Sequence, residues 1–273
     1  MSLSEIIIGT RASALALWQA QHVKQLIESH HQIPVIIKKI TTKGDQIVDR
    51  SLVAIGGKGL FVKEIEDELL EGTIGIAVHS MKDVPHSLPS GLILPAMLPR
   101  DDPRDVLVSR ENNQLSDLPE GAVVGTTSLR RLFQVKTLRP DLEFKNLRGN
   151  VDTRLKKLDA GEYKAVILAA AGLKRLGLGE RITEYLDIVP AVGQGAIGIE
   201  CCEQNSDLVT LVSSLNDAES FCAVGMERYF ARRVGATCQT PLACYIRSGE
   251  TPGTFHLSIY HAGPDGSGAS RHE

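Results

Sequence analysis

The sequence of 273 residues has no long apolar run and no excess of positive charge. Its longest uncharged apolar stretch, residues 165–173, is far shorter than the roughly 20 residues that a membrane-spanning helix needs. The N-terminal MSLSEIIIGT lacks the basic and then long apolar segments of a signal peptide. A formal net charge of -3 offers no basic surface to nucleic acid. We therefore expect a cytoplasmic protein that binds neither membranes nor nucleic acid.

Cysteine is also scarce, and its spacing is uninformative. The five cysteines are an odd number spread thinly along the chain, which argues against a disulfide framework. Neither C-x2-C nor H-x3-H occurs, so the sequence predicts no metal site. Adjacent Cys201 and Cys202 would face opposite sides of a strand. We expect small buried hydrophobic side chains at four positions: Cys201, Cys202, Cys222 and Cys244.

What the sequence does contain is a repeated alternation of strands and helices. Residues 6–9 are typical of a buried strand, and Ser13 can cap a helix that runs to about residue 29. The pattern predicts an α/β fold with two similar, periplasmic-binding-protein-like lobes around mostly parallel sheets, plus a small α+β third domain. We assign residues 1–99 and 194–215 to the first lobe, 100–193 to the second, and 216–273 to the third domain.

Further elements follow from apolar periodicity and turn residues. We expect helices at residues 61–72, 128–137, 151–160 and 218–232. We expect strands at residues 35–40, 74–78, 105–109, 122–125, 143–147, 165–169, 196–201, 242–247 and 254–261. The strand at 196–201 is expected to return to the first sheet.

Arginines stand where predicted strands lead into helices. Arg11 lies in GTRAS, Arg130 and Arg131 in GTTSLRR, and Arg148 in LRGN, with Arg154 one turn into the next helix. A guanidinium beside a helix N-terminus suits a carboxylate or phosphate. One such arginine alone is commonly just solvated, but several on two lobes favour an anion-binding cleft.

Two more stretches carry candidate chemistry. In HSMKDVP, Lys82 and Asp83 follow a strand, either as an ordinary surface ion pair or with Asp83 as a fixed carboxylate in the cleft. The stretch AIGGKGLF lacks the Ser/Thr and glycine spacing of a P-loop and suits a mobile lid. Cys238 has no histidine within ten residues, so nothing supports a Cys–His catalytic pair.

Several long stretches together resemble the porphobilinogen deaminase family over nearly the whole chain: GTRASALALWQA, GGKGLFVKEIE, IAVHSMKDVP, GTTSLRR, LRGNVDTRL, LAAAGLKRLGL and PAVGQGAIGIE. The resemblance implies a transferase of tetrapyrrole (haem) biosynthesis that condenses four porphobilinogen molecules head to tail, releases ammonia and gives hydroxymethylbilane. It also implies a dipyrromethane cofactor held by a thioether, and a monomer.

By position, the resemblance implies that Asp83 is catalytic and that Cys238 carries the cofactor. The other implied cofactor contacts are Ser13, Ser80, Lys82, Thr126, Ser128, Arg130, Arg131, Arg148 and Arg154. The implied substrate contacts are Arg11, Ser13, Gln19 and Arg175, and the implied lid residues are Lys58 and Phe61. Because every pyrrole brings two carboxylates, a chain growing in one cleft needs many arginines.

Three features depart from the family pattern. Ala236 and Thr237 replace two glycines before Cys238, and Cys244 is a second nearby thiol. The chain ends at Glu273, where the family continues with a strand and a helix, which predicts a truncated third domain. Two other classes stay open on residue types alone: an anion-binding receptor, and a thiol acyltransferase or hydrolase that uses Cys238.

Overall fold

The structure is a computed structural model that describes residues 4–46, 59, 61–237, 240–251 and 253–273. The chain divides into two compact units, one formed by Met1–Arg100 with Ala196–Gly225 and the other by Asp101–Gly195 with Met226–Glu273. Each unit is built on its own five-stranded sheet, and the second also contains a three-stranded sheet. The α/β class is confirmed, while the three-domain boundaries stay a prediction.

The described elements follow one another in chain order. The first are β1 (Ile6–Arg11), α1 (Ala14–His31), β2 (Val35–Ile40), α2 (Lys43–Gln46), α3 (Lys63–Leu70), β3 (Ile76–Ser80) and β4 (Leu92–Met97). Next come β5 (Asp105–Ser109), β6 (Val123–Gly125), α4 (Leu129–Leu138), β7 (Glu143–Lys145), α5 (Val151–Asp159), β8 (Ala165–Ala169), α6 (Ala170–Arg175) and β9 (Glu184–Tyr185). The last are β10 (Ile197–Cys202), α7 (Ser206–Ser213), α8 (Ala218–Arg233), β11 (Leu242–Ser248), β12 (Phe255–His261) and β13 (Ser270–His272).

Local signals explain α1, the first long helix. The Ser13 hydroxyl accepts a hydrogen bond from the backbone N–H of Ala16 at 3.3 Å, so Ser13 caps the helix as predicted. The helix ends where Gln32 adopts a left-handed backbone conformation with φ 55°. Its buried face, which includes Val23 and Ile27, packs in the core against the apolar side chains of β1 and β3. This packing fixes the start of α1 beside the end of β1.

Both five-stranded sheets mix parallel and antiparallel pairs. Their strand orders are β2-β1-β3-β10-β4 and β7-β6-β8-β5-β9. In each sheet two pairings are parallel and two antiparallel, so the expectation of mostly parallel sheets is wrong. An apolar run indicates a buried strand but not its direction. Strand β10 does return to the first sheet, as predicted.

The cysteines only partly match the expected burial. Cys201 lies in the main core of the first unit, and Cys244 is fully buried in β11. Cys202 packs on the opposite side of the strand from Cys201 but is only half-buried. Cys222 is exposed, so the prediction that it is buried is wrong; it lies on the outward face of α8. Among the described residues, no helix is long and apolar enough to cross a membrane.

Candidate functional site

A pocket of the first unit lies where β1 and β3 end. It is lined by Arg11 at the end of β1, Ser80 at the end of β3 and Asp83 on the turn that follows, with Ser13 and Gln19 from the start of α1. Strands β1 and β3 are parallel, so their carboxyl ends meet at one edge of the sheet. Six residues singled out from the sequence therefore line one pocket: Arg11, Ser13, Gln19, Phe61, Ser80 and Asp83.

Gln19 and Ser80 hold each other in place across the pocket. The side-chain amide of Gln19 donates to the Ser80 hydroxyl at 2.8 Å, and the hydroxyl lies 3.2 Å from the Gln19 carbonyl oxygen. Gln19 is 1% exposed, so its amide is fixed by the surrounding core. The pair presents the Ser80 hydroxyl in one defined position.

Asp83 occupies the end of a short 3-10 turn, Met81–Asp83, directly after β3. Met81 is 1% exposed and anchors this turn in the core, while Lys82 and Asp83 are half-buried. Within the part of the chain that the structure describes, no side chain forms a hydrogen bond or ion pair with the Asp83 carboxylate. Asp83 thus offers a carboxylate at the pocket that a ligand can use.

Arg11 is held from two sides. Its Nε lies 3.2 Å from each carboxylate oxygen of Asp45, and its guanidinium lies over the Phe61 ring at 4.3 Å from the centroid. Burial raises the pKa of Asp45, but hydrogen bonding to Arg11 and the charge of Arg11 outweigh it and hold the pKa below its usual value. Asp45 also accepts from the Thr42 hydroxyl at 2.8 Å. An anionic ligand at Arg11 would therefore compete with Asp45, a residue that the sequence analysis missed.

In the second unit, Arg130 and Arg131 surround one buried carboxylate. Arg130 Nη1 donates to Oδ2 of Asp105 at 2.6 Å, and Arg131 Nε donates to Oδ1 at 2.8 Å. Gln194 adds a third donor at 3.0 Å. Burial alone would raise the pKa of Asp105, but the two guanidiniums hold it well below its usual range. The sequence analysis missed Asp105 and Gln194, although a charged residue at the start of a buried strand is the signal for a buried partner.

The remaining second-unit candidates lie at strand and helix ends. Thr126 is buried and accepts from the Ser128 N–H at 3.2 Å, and Ser128 caps α4. Arg148 is half-buried between β7 and α5, and Arg154 Nε donates to the Gly149 carbonyl at 2.7 Å. Arg175 donates to the Gly195 carbonyl at 2.6 Å, and its Nε lies 3.4 Å from Asp101. Burial lowers the pKa of Arg175, although the nearby Asp101 opposes that shift.

Two predicted site residues lie outside the described residues: Lys58 and Cys238. Thr237, next to Cys238, is described, and its backbone N–H donates to the Thr240 hydroxyl at 2.9 Å. Within the described ranges, no three His, Cys, Asp or Glu side chains are grouped as metal ligands. Arginines, hydroxyls and a carboxylate at strand ends therefore define an α/β protein with sites for an anionic ligand.

The chain belongs to the porphobilinogen deaminase family. The family model described as "Porphobilinogen deaminase, dipyromethane cofactor binding domain" matches residues 6–210. The porphobilinogen deaminase of Syntrophotalea carbinolica is 52% identical over 92% of this chain and 81% of that protein. Those of Nitrosomonas europaea and Chromobacterium violaceum are 51% and 49% identical, over 97% of this chain and 87% and 86% of their own lengths. The family agrees with the resemblance and disfavours the receptor and thiol-hydrolase interpretations.

Solved structures of a different kind are also similar to this chain. The crystal structure of the Bordetella pertussis BvgS periplasmic VFT2 domain has a TM-score of 0.47 and 15% identity, over 78% of this chain and 87% of that one. That similarity supports no conclusion about function.

Proposed function

We propose that this chain condenses four porphobilinogen molecules head to tail, with release of ammonia, to give hydroxymethylbilane in tetrapyrrole biosynthesis. Family membership over residues 6–210 supports the reaction. The observation that carries the assignment of residues is the first-unit pocket, where Asp83 lies with Arg11, Ser13 and Ser80. Porphobilinogen carries two carboxylates and one aminomethyl group, so it needs cationic and hydroxyl donors together with one carboxylate acceptor.

Asp83 is the catalytic residue. Departure of ammonia leaves positive charge at the substrate's aminomethyl carbon, and a fixed carboxylate beside that carbon lowers the energy of the developing charge. The same carboxylate accepts a hydrogen bond from a pyrrole N–H and can take up the proton that the attacking ring loses. The rigid attachment of its turn through buried Met81 keeps the carboxylate in place between cycles.

The residues present fit a dipyrromethane cofactor, because its carboxylates suit guanidinium and hydroxyl donors and its pyrrole N–H groups suit a carboxylate. Cys238 would hold it through a thioether, and the further cofactor contacts that we propose are Ser13, Ser80, Lys82, Thr126, Ser128, Arg148 and Arg154. Arg130 and Arg131 are already hydrogen-bonded to Asp105, so they would contribute through their other N–H groups. The bound cofactor supplies the pyrrole carbon to which the first substrate is joined.

Arg11, Gln19 and Arg175 bind the incoming substrate. Arg11 exchanges Asp45 for a substrate carboxylate, and the Phe61 ring keeps the guanidinium plane oriented during that exchange. Phe61, with Lys58, forms the lid over the pocket. The enzyme acts in the cytoplasm as a monomer on porphobilinogen, and it needs no metal.

Intact-mass spectrometry of the purified protein tests this function. The wild-type chain should be heavier than its sequence by two pyrrole units, and Cys238→Ser should show the sequence mass alone and no turnover. Cys244→Ser is the matched control, because Cys244 is fully buried in β11, and it should keep the added mass. An active wild-type chain of unmodified mass would overturn the cofactor assignment, and transfer of the added mass to Cys244 would overturn the choice of cysteine.

A further inference from the structure

A buried pair of titratable side chains lies beside the first-unit pocket. The Nε2 atom of His79 is 2.9 Å from Oε2 of Glu200, and the two side chains are 4% and 0% exposed. His79 directly precedes Ser80 on β3, and Glu200 lies on the antiparallel neighbour β10. His79 is itself among the residues that line the pocket. The pair therefore connects the two strands at the wall that carries Ser80.

Glu66 on α3 completes this cluster. It is 6% exposed, and its helix packs against β3 and β10. One oxygen of Glu66 and one of Glu200 are buried without a hydrogen-bond partner among the described residues. Burial, reinforced by repulsion from Glu200, raises the pKa of Glu66 to about 7, although the charge of His79 acts in the opposite direction. Near neutral pH, Glu66 therefore carries a proton that is readily lost.

The other charged groups around α3 do not replace Glu66 in this role. On the helix itself, exposed Lys63 and Asp67 pair with each other at 2.9 Å, and their charges shift the pKa of Glu66 in opposite directions. Glu68 pairs with Lys38 at 2.7 Å. On β10, burial raises the pKa of Cys201 to about 11 and also raises the pKa of Cys202, so both thiols are neutral. Strand β1 contributes only Arg11, which contacts Asp45, and the sequence of β4, LILPAM, has no titratable side chain.

Helix α3 and the residues directly before it also line the pocket. It begins directly after Phe61 and Val62, and these two residues and Ile65 all line the pocket. Phe61 is the ring on which Arg11 lies. A change in how α3 sits on β3 and β10 therefore moves the ring that orients a substrate-binding arginine.

We propose that Glu66 is a positioning residue for the condensation. When Glu66 is protonated, α3 packs closely against β3 and β10, and Phe61 stays over Arg11. When Glu66 is ionised, it repels Glu200 and weakens the packing of α3 on the two strands. The effect on turnover rests on the function proposed above, whereas the titration of Glu66 inside the folded protein does not. As the pH rises through neutrality, the ionisation of Glu66 should therefore lower the affinity for substrate more than it lowers kcat.

The first test is the pH profile of kcat/KM for porphobilinogen, measured on the holoenzyme from about pH 5.5 to 9. Glu66→Gln mimics the protonated form, so it should match the wild type within about twofold at pH 6 and exceed it about threefold or more at pH 8, mainly through a lower KM. Glu71→Gln is the matched control, because it removes an exposed carboxylate that directly follows the same helix, and it should keep the wild-type profile. Superimposable profiles of wild type and Glu66→Gln would overturn the proposal.

The second test does not depend on activity. The folded protein binds the Glu66 proton more tightly than the unfolded chain, so the urea midpoint of Glu66→Gln should rise relative to wild type between about pH 5 and 8. If the protein turns over substrate but the urea midpoint of Glu66→Gln does not rise, the proposed role of Glu66 is wrong and the proposed function stands. If the midpoint rises but the protein shows no turnover, the proposed function is wrong and only the titration of Glu66 is supported. If Glu66→Gln does not fold, His79→Gln is the variant to test. The charge of His79 lowers the pKa of Glu66, so removing the imidazole should move the fall in kcat/KM at alkaline pH to a higher pH. If that fall stays at the same pH, His79 and Glu66 do not interact as proposed.

Discussion

The Nη1 atom of Arg130 lies 2.6 Å from Oδ2 of Asp105, and the Asp105 side chain is completely buried. Arg131 contacts the other carboxylate oxygen, and Gln194 donates to it as well. Because Asp105 begins β5 and the arginines begin α4, these bonds join a strand to a helix inside the second unit. The arginines are thereby held in fixed orientations, which is the condition for binding a carboxylate without losing further side-chain entropy.

Asp105→Asn should destabilise the protein strongly. The substitution keeps the shape of the side chain but leaves two buried guanidiniums without their counter-ion, which costs about 3–5 kcal/mol. In urea unfolding, this loss of stability should appear as a lower midpoint for Asp105→Asn than for the wild type. Asp159→Asn is the control, because Asp159 pairs with Arg181 at 2.6 Å on the surface, and an exposed pair contributes less than about 1 kcal/mol. Equal falls of the urea midpoint in Asp105→Asn and Asp159→Asn would show that the burial of Asp105 does not increase the contribution of its ion pairs to stability.

The same carboxylate should make stability sensitive to acid. The guanidiniums hold the pKa of Asp105 far below its value in the unfolded chain, so the contribution is complete above about pH 4 and is lost as the pH falls below it. Wild type should therefore lose stability more steeply than Asp105→Asn between about pH 4 and 2. Urea midpoints across that range measure the slopes, and parallel curves would contradict the assignment.

Arg11→Lys should weaken substrate binding although it keeps the charge. A lysine ammonium can neither lie flat over Phe61 nor contact both oxygens of a carboxylate in one plane. We expect KM for porphobilinogen to rise about tenfold, with a smaller change in kcat. Steady-state kinetics measures both constants, and exposed Arg110→Lys serves as the control that should change neither. An unchanged KM in Arg11→Lys would remove Arg11 from the substrate contacts.

Local signals made much of the fold predictable. A few neighbouring residues are enough to predict the Ser13 cap and the strand at Val35–Ile40, and the structure confirms both. Strand β4 was not predicted, because its Pro95 breaks the pattern of a central strand; the structure places β4 at the sheet edge, where proline is tolerated. Helix α3 begins at Lys63 rather than at the predicted residue 61, which leaves Phe61 in the turn before it.

Pairings between distant residues could not be predicted in the same way. The candidates of the first-unit pocket came from recognisable motifs, and the structure places six of them around one pocket. The partners of these motifs, such as Asp45 for Arg11, Asp105 for Arg130 and Glu200 for His79, lie on other elements. Their pairing depends on the register of strands and on helix packing, which no local pattern encodes.

Asp83→Asn should separate cofactor attachment from turnover. The amide keeps the size and hydrogen-bonding reach of the carboxylate but carries no negative charge to stabilise the developing cation, so kcat should fall at least about 100-fold. Intact mass should still show the two added pyrrole units. Asp117→Asn is the control, since Asp117 is exposed on a turn of the second unit, and it should leave turnover unchanged. Near-normal turnover in Asp83→Asn would remove Asp83 from the catalytic role.

Gly195→Ala should be far more damaging than an alanine at another left-handed glycine. Gly195 has φ +90°, and a Cβ there would lie 2.5 Å from the backbone oxygen of Asp101. Gly177 has φ +69° with nothing within 4 Å of its Cβ position, so Gly177→Ala bears only the left-handed backbone cost of about 1 kcal/mol. Urea unfolding should show that Gly195→Ala loses at least about 2 kcal/mol more, because backbone must move. That movement also displaces the carbonyl to which Arg175 donates at 2.6 Å, so KM for porphobilinogen should rise in Gly195→Ala alone. Similar losses of stability in the two variants would show that the backbone around Asp101 can move at little cost in free energy.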